Sequence, residues 1–81
     1  MTEITVLFFG ITSDFVGKNS IKFNVKNLST VADLKLKLRD EYPSLKNLHE
    51  FAIAVNEEYA ANEMILNNND VVAIIPPVSG G

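Results

Sequence analysis

At 81 residues the chain has room for one domain, and 47% apolar against 21% charged residues is the balance of a folded protein rather than a disordered one. The absence of cysteine excludes disulfides, thiol nucleophiles, paired-cysteine redox chemistry and iron–sulfur clusters, and with His49 as the one histidine no zinc or other metal site is expected. Seven basic residues against ten acidic ones give a net charge of −3, so no basic patch for nucleic acid is expected either.

Met1-Thr2-Glu3-Ile4 lacks the positive start and apolar core of a signal peptide, and no apolar run nears the roughly 20 residues of a membrane span. A cytoplasmic protein without a membrane partner is the expectation. Ile4 to Gly10 reads as a strand, rich in β-branched and aromatic residues and stopped by Gly10. Ser13-Asp14 and Gly17 to Ser20 carry turn chemistry around a short piece holding Phe15 and Val16. Ile21, Phe23 and Val25 then alternate with Lys22, Asn24 and Lys26, which predicts a half-buried strand paired antiparallel with the first.

One helix follows. Thr30 and Asp33 resemble a capping box, with Asp as a shorter stand-in for Glu or Gln. Val31, Leu34, Leu38 and Tyr42 share a face at spacings of three and four, Leu36 falls opposite, and Pro43 ends the helix. Ser44 to Glu50 reads as a connector, and Phe51, Ile53 and Val55 form another alternating strand that ends at Asn56-Glu57-Glu58. Asn67 to Asp70 is a turn, and Val71 to Ile75 is a last strand, apolar throughout and so covered on both sides or central in its sheet. Strand, strand, helix, strand, a short variable piece, strand is the pattern of a ubiquitin-like β-grasp in the α+β class. The expected architecture is a mixed sheet of four to five strands, one main helix on one face, and an extended C-terminal tail. The domain is expected over 1–76 and a flexible tail over 77–81.

Strand parity divides Ile4, Val6 and Phe8 from Thr5, Leu7 and Phe9. One set packs on the helix, which leaves Leu7 and Phe9 on a face opposite it, near the small Ala52 and Ala54. Two readings are open. The face is a partner-binding surface, or loops and the segment Tyr59 to Leu66 fold over it.

The tail begins with Pro76-Pro77, which lack amide donors and direct the chain outward, followed by Val78-Ser79-Gly80-Gly81. A Gly-Gly pair at a given position arises by chance about once in 200 chains, so alone it says little. Behind a β-grasp it says more. Backbone without side chains can enter a narrow channel and present the terminal carboxylate to chemistry supplied by another protein.

Val6 to Gly10, Thr30-Val31-Ala32-Asp33-Leu34, Ala54 to Tyr59 and Ile75-Pro76-Pro77-Val78-Ser79-Gly80-Gly81 together resemble the MoaD family, the small sulfur-carrier subunit of molybdopterin synthase. The resemblance spans essentially the whole chain, and its most specific element is Pro-Pro-Val-Ser-Gly-Gly. It implies that a ubiquitin-activating-type enzyme uses ATP and magnesium to adenylate the Gly81 carboxylate, which persulfide sulfur converts to a thiocarboxylate. No cofactor is then bound by this chain itself. The tail, Pro77, Val78, Ser79 and Gly80, would insert into the large subunit of molybdopterin synthase, in a heterotetramer of two small and two large subunits. There sulfur passes from Gly81 to the cyclic pyranopterin monophosphate precursor. The resemblance places Phe9, Tyr59 and Ile75 at partner interfaces, and parity adds Leu7. Ile11 to Asp14 departs from the charged residues that the family often carries there, so no polar contact transfers to that loop.

Rival readings remain at this point: a carrier for thiamine or tRNA thiolation, a modifier conjugated through Gly81, a β-grasp interaction module, or an enzyme in its own right. The last has only Glu57-Glu58, Asp40-Glu41 and His49 to offer, each more simply a solvated surface group.

Overall fold

The computed structural model describes residues 1–47 and 51–76. Its elements in chain order are β1 (Thr2–Phe8), α1 (Ile11–Val16), β2 (Ser20–Val25), α2 (Val31–Glu41), a 3-10 turn (Pro43–Asn47), β3 (Ala52–Val55), β4 (Glu58–Tyr59) and β5 (Val71–Ile75). The five strands form one sheet in the order β2-β1-β5-β3-β4. The β1–β5 pair is parallel and the other three pairings are antiparallel, so the sheet is mixed. This is the β-grasp expected from the element order. The tail residues 77–81 and the segment 48–50, which includes His49, lie outside the described residues.

The helix forms where its cap and periodicity place it. The Asp33 N–H donates to Thr30 Oγ1 (3.2 Å) and the Thr30 N–H donates to Asp33 Oδ2 (3.0 Å), a reciprocal capping box. Val31, Leu34 and Leu38 are fully buried, whereas Leu36 on the other side is exposed. Tyr42 ends the helix before Pro43, and its ring meets Phe8 edge-on at 6.1 Å between centroids. The stripe packs on Ile4, Val6 and Phe8 of β1, Ile53 and Val55 of β3, and Val72 and Ile74 of β5, in one core cluster. Burying each such side chain contributes roughly 1.5–3 kcal/mol.

Three elements differ from the sequence expectation. The segment after Gly10 is a six-residue helix, α1, rather than a turn. Too short to be stable alone, it is held by tertiary contacts: Phe15 and Val16 pack on the core, and the Ser44 hydroxyl donates to the Phe15 carbonyl at 2.7 Å. The connector after Pro43 contains a 3-10 turn that drives Leu45 fully into the core. Finally, Asn56 and Glu57 do not merely end β3. With φ of 51° and 73° they make a two-residue hairpin turn into β4, a short edge strand.

The final strand is central, between β1 and β3, and this is why it is apolar at every position. Only its helix-facing side is fully covered: Val72 and Ile74 are buried, Ala73 and Ile75 half-buried, and Val71 exposed.

Candidate functional site: the open face of the sheet and the root of the tail

Strand register lines up the face opposite the helix. Leu7 pairs with Ala73, Ala73 with Ala54, and Ala54 with Tyr59, so one row of side chains crosses β1, β5, β3 and β4 on a single face. A second row begins with Ile75 opposite Ala52. Phe9 follows β1 directly, and its N–H donates to the Ile74 carbonyl at 3.4 Å, which holds it beside the end of β5. Phe9 is 50% exposed and Tyr59 77% exposed, while Leu7 and Ile75 are half-buried. The structure therefore brings all four expected interface residues to one face.

The segment Tyr59 to Leu66 does not cover them. It crosses to the helix side, where the Val31 N–H donates to the Met64 carbonyl (2.9 Å), the Ala32 N–H to the Asn62 carbonyl (3.0 Å) and the Leu66 N–H to the Ser29 carbonyl (2.8 Å). Leu66 is buried there. Of the two readings open from parity, coverage by this segment is thus excluded. Small residues at the centre of the row, Ala73 and Ala54, make a shallow floor between the larger Leu7 and Tyr59, which is a shape that accepts protruding apolar side chains.

The root of the tail is built by Gly10, which the sequence marked as a strand stop, and by Thr12 and Ser13, whose roles it did not single out. Gly10, with φ 55° and ψ −135°, occupies a backbone region open essentially to glycine alone, and a Cβ there would stand 3.2 Å from Pro76 Cγ. The first turn of α1 fixes this corner. Thr12 is wholly buried and its hydroxyl donates to the Phe9 carbonyl, while the Ser13 hydroxyl donates to the Gly10 carbonyl at 2.8 Å. Thr12 thus anchors the backbone carbonyl of Phe9. A signal for it existed in the sequence, because Ser and Thr commonly bond back to a carbonyl three residues earlier. Gly81 and the insertion residues Pro77, Val78, Ser79 and Gly80 lie outside the described residues. Among the described residues no group of three or more His, Asp or Glu is placed to hold a metal ion. No described helix is long and apolar enough to cross a membrane.

Among the described residues the sheet face opposite the helix is apolar and bordered by the exit of the last strand, and the architecture is that of the ubiquitin-like β-grasp class. Residues 6–81 match the model of the ThiS family. The chain is 37% identical over 83 residues to the molybdopterin synthase sulfur carrier subunit of Dictyostelium discoideum, covering 98% of this chain and 96% of that one. Among solved structures, it is similar to a chain in the protein–protein complex of subunits 1 and 2 of molybdopterin-converting factor from Helicobacter pylori 26695. That match has a TM-score of 0.71 and 27% identity, and covers 99% of this chain and 100% of that one. It is also similar to small archaeal modifier protein 1 from Methanosarcina acetivorans, with a TM-score of 0.83, 26% identity, and coverage of 100% and 98%. The chain belongs to the ThiS family and, within it, groups with the molybdopterin synthase sulfur carrier subunits.

Proposed function

We propose that this protein is the sulfur carrier of molybdenum cofactor biosynthesis, with sulfur held as a thiocarboxylate on Gly81. The observation that supports it most is the uncovered apolar row from Leu7 to Tyr59, with Pro76 leaving the sheet beside Phe9 and Gly10. Such a surface lets a partner hold the domain firmly while the chain beyond Pro76 reaches into that partner's active site. Family membership through residue 81 adds the Gly-Gly motif to the same geometry.

In this reading the chain supplies no acid, base or metal. A carboxylate is a poor electrophile, so an activating enzyme first joins the Gly81 carboxylate to AMP, consuming ATP with magnesium and releasing pyrophosphate. Persulfide sulfur then displaces AMP, and a thiol cleaves the resulting acyl disulfide, leaving the thiocarboxylate. Docked on the large subunit of molybdopterin synthase, two small subunits to two large, the tail residues Pro77 to Gly80 present that sulfur to the pyranopterin precursor. Pro77 restricts the chain, and the glycines offer no side chain to obstruct a narrow channel. All of this would proceed in the cytoplasm.

Likeness to an archaeal modifier protein favours one second reading, conjugation of Gly81 to a lysine through the same adenylate. One experiment separates the two. Co-production with a ubiquitin-activating-type enzyme and a sulfur source, followed by intact-mass analysis, should show the gain of one oxygen replaced by sulfur. Removing Gly81 should abolish that gain. Lysine-linked conjugates without any thiocarboxylate would overturn the carrier reading.

A further inference from the structure

The other sheet margin, away from the open-face row, carries a feature that sulfur transfer does not use. Among the described residues β2 is an outer strand, paired only with β1. The Phe8 N–H donates to the Asn19 carbonyl at 2.8 Å, so Phe8–Asn19 is a hydrogen-bonded pair, and alternation makes Leu7–Ser20, Thr5–Lys22 and Glu3–Asn24 the non-bonded pairs. The backbone N–H and C=O groups of Ser20, Lys22 and Asn24 therefore point outward, away from the sheet. One of them is already engaged from outside: Lys37 Nζ donates to the Asn24 carbonyl at 2.6 Å.

Between this edge and α2 runs an open groove of about 520 Å³ with Ile21, Phe23 and Tyr42 in its lining, all three half-buried and packed against the core. Beyond Lys37, which borders both, a second depression continues it past Val25 and Lys26. Charge is concentrated here. Lys18, Lys22, Lys26 and Lys37 are four of the seven basic residues of the chain, whereas among the described acidic residues only Asp33 and Glu41 border the groove. Asp33 is moreover committed to the helix cap.

We propose that the β2–α2 groove binds an extended segment of a partner protein, of alternating apolar and acidic residues, which adds to the sheet as a sixth strand beside β2. Each feature on this margin matches one feature of such a segment. Outward backbone groups at every second residue pair with its main chain, the apolar lining takes its alternate side chains, and the lysines pair with its carboxylates. A nucleic acid would use the lysines but leave the strand edge and apolar lining unmatched. A six-residue edge with lysines on it resists indiscriminate pairing while admitting a segment of opposite charge, to whose carboxylates Lys37 can turn from the Asn24 carbonyl.

The test uses a synthetic, end-capped peptide of alternating valine and glutamate, seven residues long, titrated into isotopically labelled protein and followed by amide shifts. Saturable shifts are expected at Ser20 to Val25 and on α2 from Lys37 to Tyr42. Lys22→Pro removes an outward N–H that the sheet does not use, so the domain should stay folded. It should abolish the shifts, while Lys22→Ala, the control for lost charge, should retain them. Lys18→Glu with Lys26→Glu should weaken binding by about fivefold, the effect of reversing exposed charge pairs. Absence of binding at millimolar peptide, equal binding by hexaglutamate, undiminished binding to Lys22→Pro, or shifts caused only by an oligonucleotide would each overturn the proposal.

Discussion

Gly10 lies against Pro76, with no room for a Cβ closer than 3.2 Å to the proline ring. The contact joins the corner after β1 to the point where the chain leaves β5, so strain at one is felt at the other. Gly10→Ala would force a side chain into a backbone conformation that costs about 1–3 kcal/mol outside glycine. A fall in Tm of about 5–15 °C is expected by calorimetry. Sulfur transfer at a temperature where the variant is still folded should also fall, because Pro76 must shift. A variant with unchanged Tm and transfer rate would show that this corner tolerates displacement.

Phe9 and Tyr59 are large, exposed and carried on strand ends or turns, so neither supports the core. Phe9→Arg and Tyr59→Arg should therefore leave Tm within a few degrees of the parent. Binding to the large subunit should weaken at least about tenfold in each case, since an unpaired charge would enter an apolar interface. Calorimetric titration measures it. Unfolding of Phe9→Arg would instead place that ring among the structural residues, and unchanged affinity would move the docking surface elsewhere.

How much of this was legible in advance follows from the range of the forces involved. Helix α2 was readable because Thr30, Asp33 and the Val31–Leu34–Leu38 stripe are local signals, as was the two-residue alternation of Ile21, Phe23 and Val25. Leu7 and Phe9 could be assigned to the open face for the same reason. Helix α1 was not readable, because Ser13 and Asp14 favour turns and only packing by Phe15 and Val16 and the bond from Ser44 hold it. Nor was strand order. The parallel pairing of β1 with β5 joins residues more than sixty positions apart, and without it Ala73 cannot be seen at the middle of the row. The tail motif was legible as a motif, and its geometry lies outside the described residues.

Leu28 holds φ at 67° while 75% exposed, so it bears left-handed strain with little burial in return. For a branched aliphatic residue that conformation costs about 1–2 kcal/mol, and Asn tolerates it far better. Leu28→Asn should raise stability by about 0.5–1 kcal/mol in urea denaturation, with the slope of the transition unchanged. No change in the midpoint would mean that the turn relaxes freely in the parent protein.

Asp70 and Asn56 tie the β3–β4 turn to the start of β5. Asn56 Nδ2 donates to Asp70 Oδ1 (3.0 Å), the Asn67 N–H donates to Asp70 Oδ2 (2.8 Å), and the Val71 N–H donates to Asn56 Oδ1 (3.0 Å). Asp70 is buried, so Asp70→Ala leaves the Asn67 N–H and the Asn56 amide without their acceptor and should cost about 1–3 kcal/mol. Asn56 sits at φ 51°, which makes glycine the replacement that removes its side chain without adding strain. Because the two side chains bond each other, Asn56→Gly and Asp70→Ala combined should cost less than their sum, with a coupling of about 0.5–3 kcal/mol. Additive costs in urea denaturation would show that the two ends of this corner are held independently. In that case the position of Tyr59, two residues beyond the turn glutamate, would not depend on Asp70.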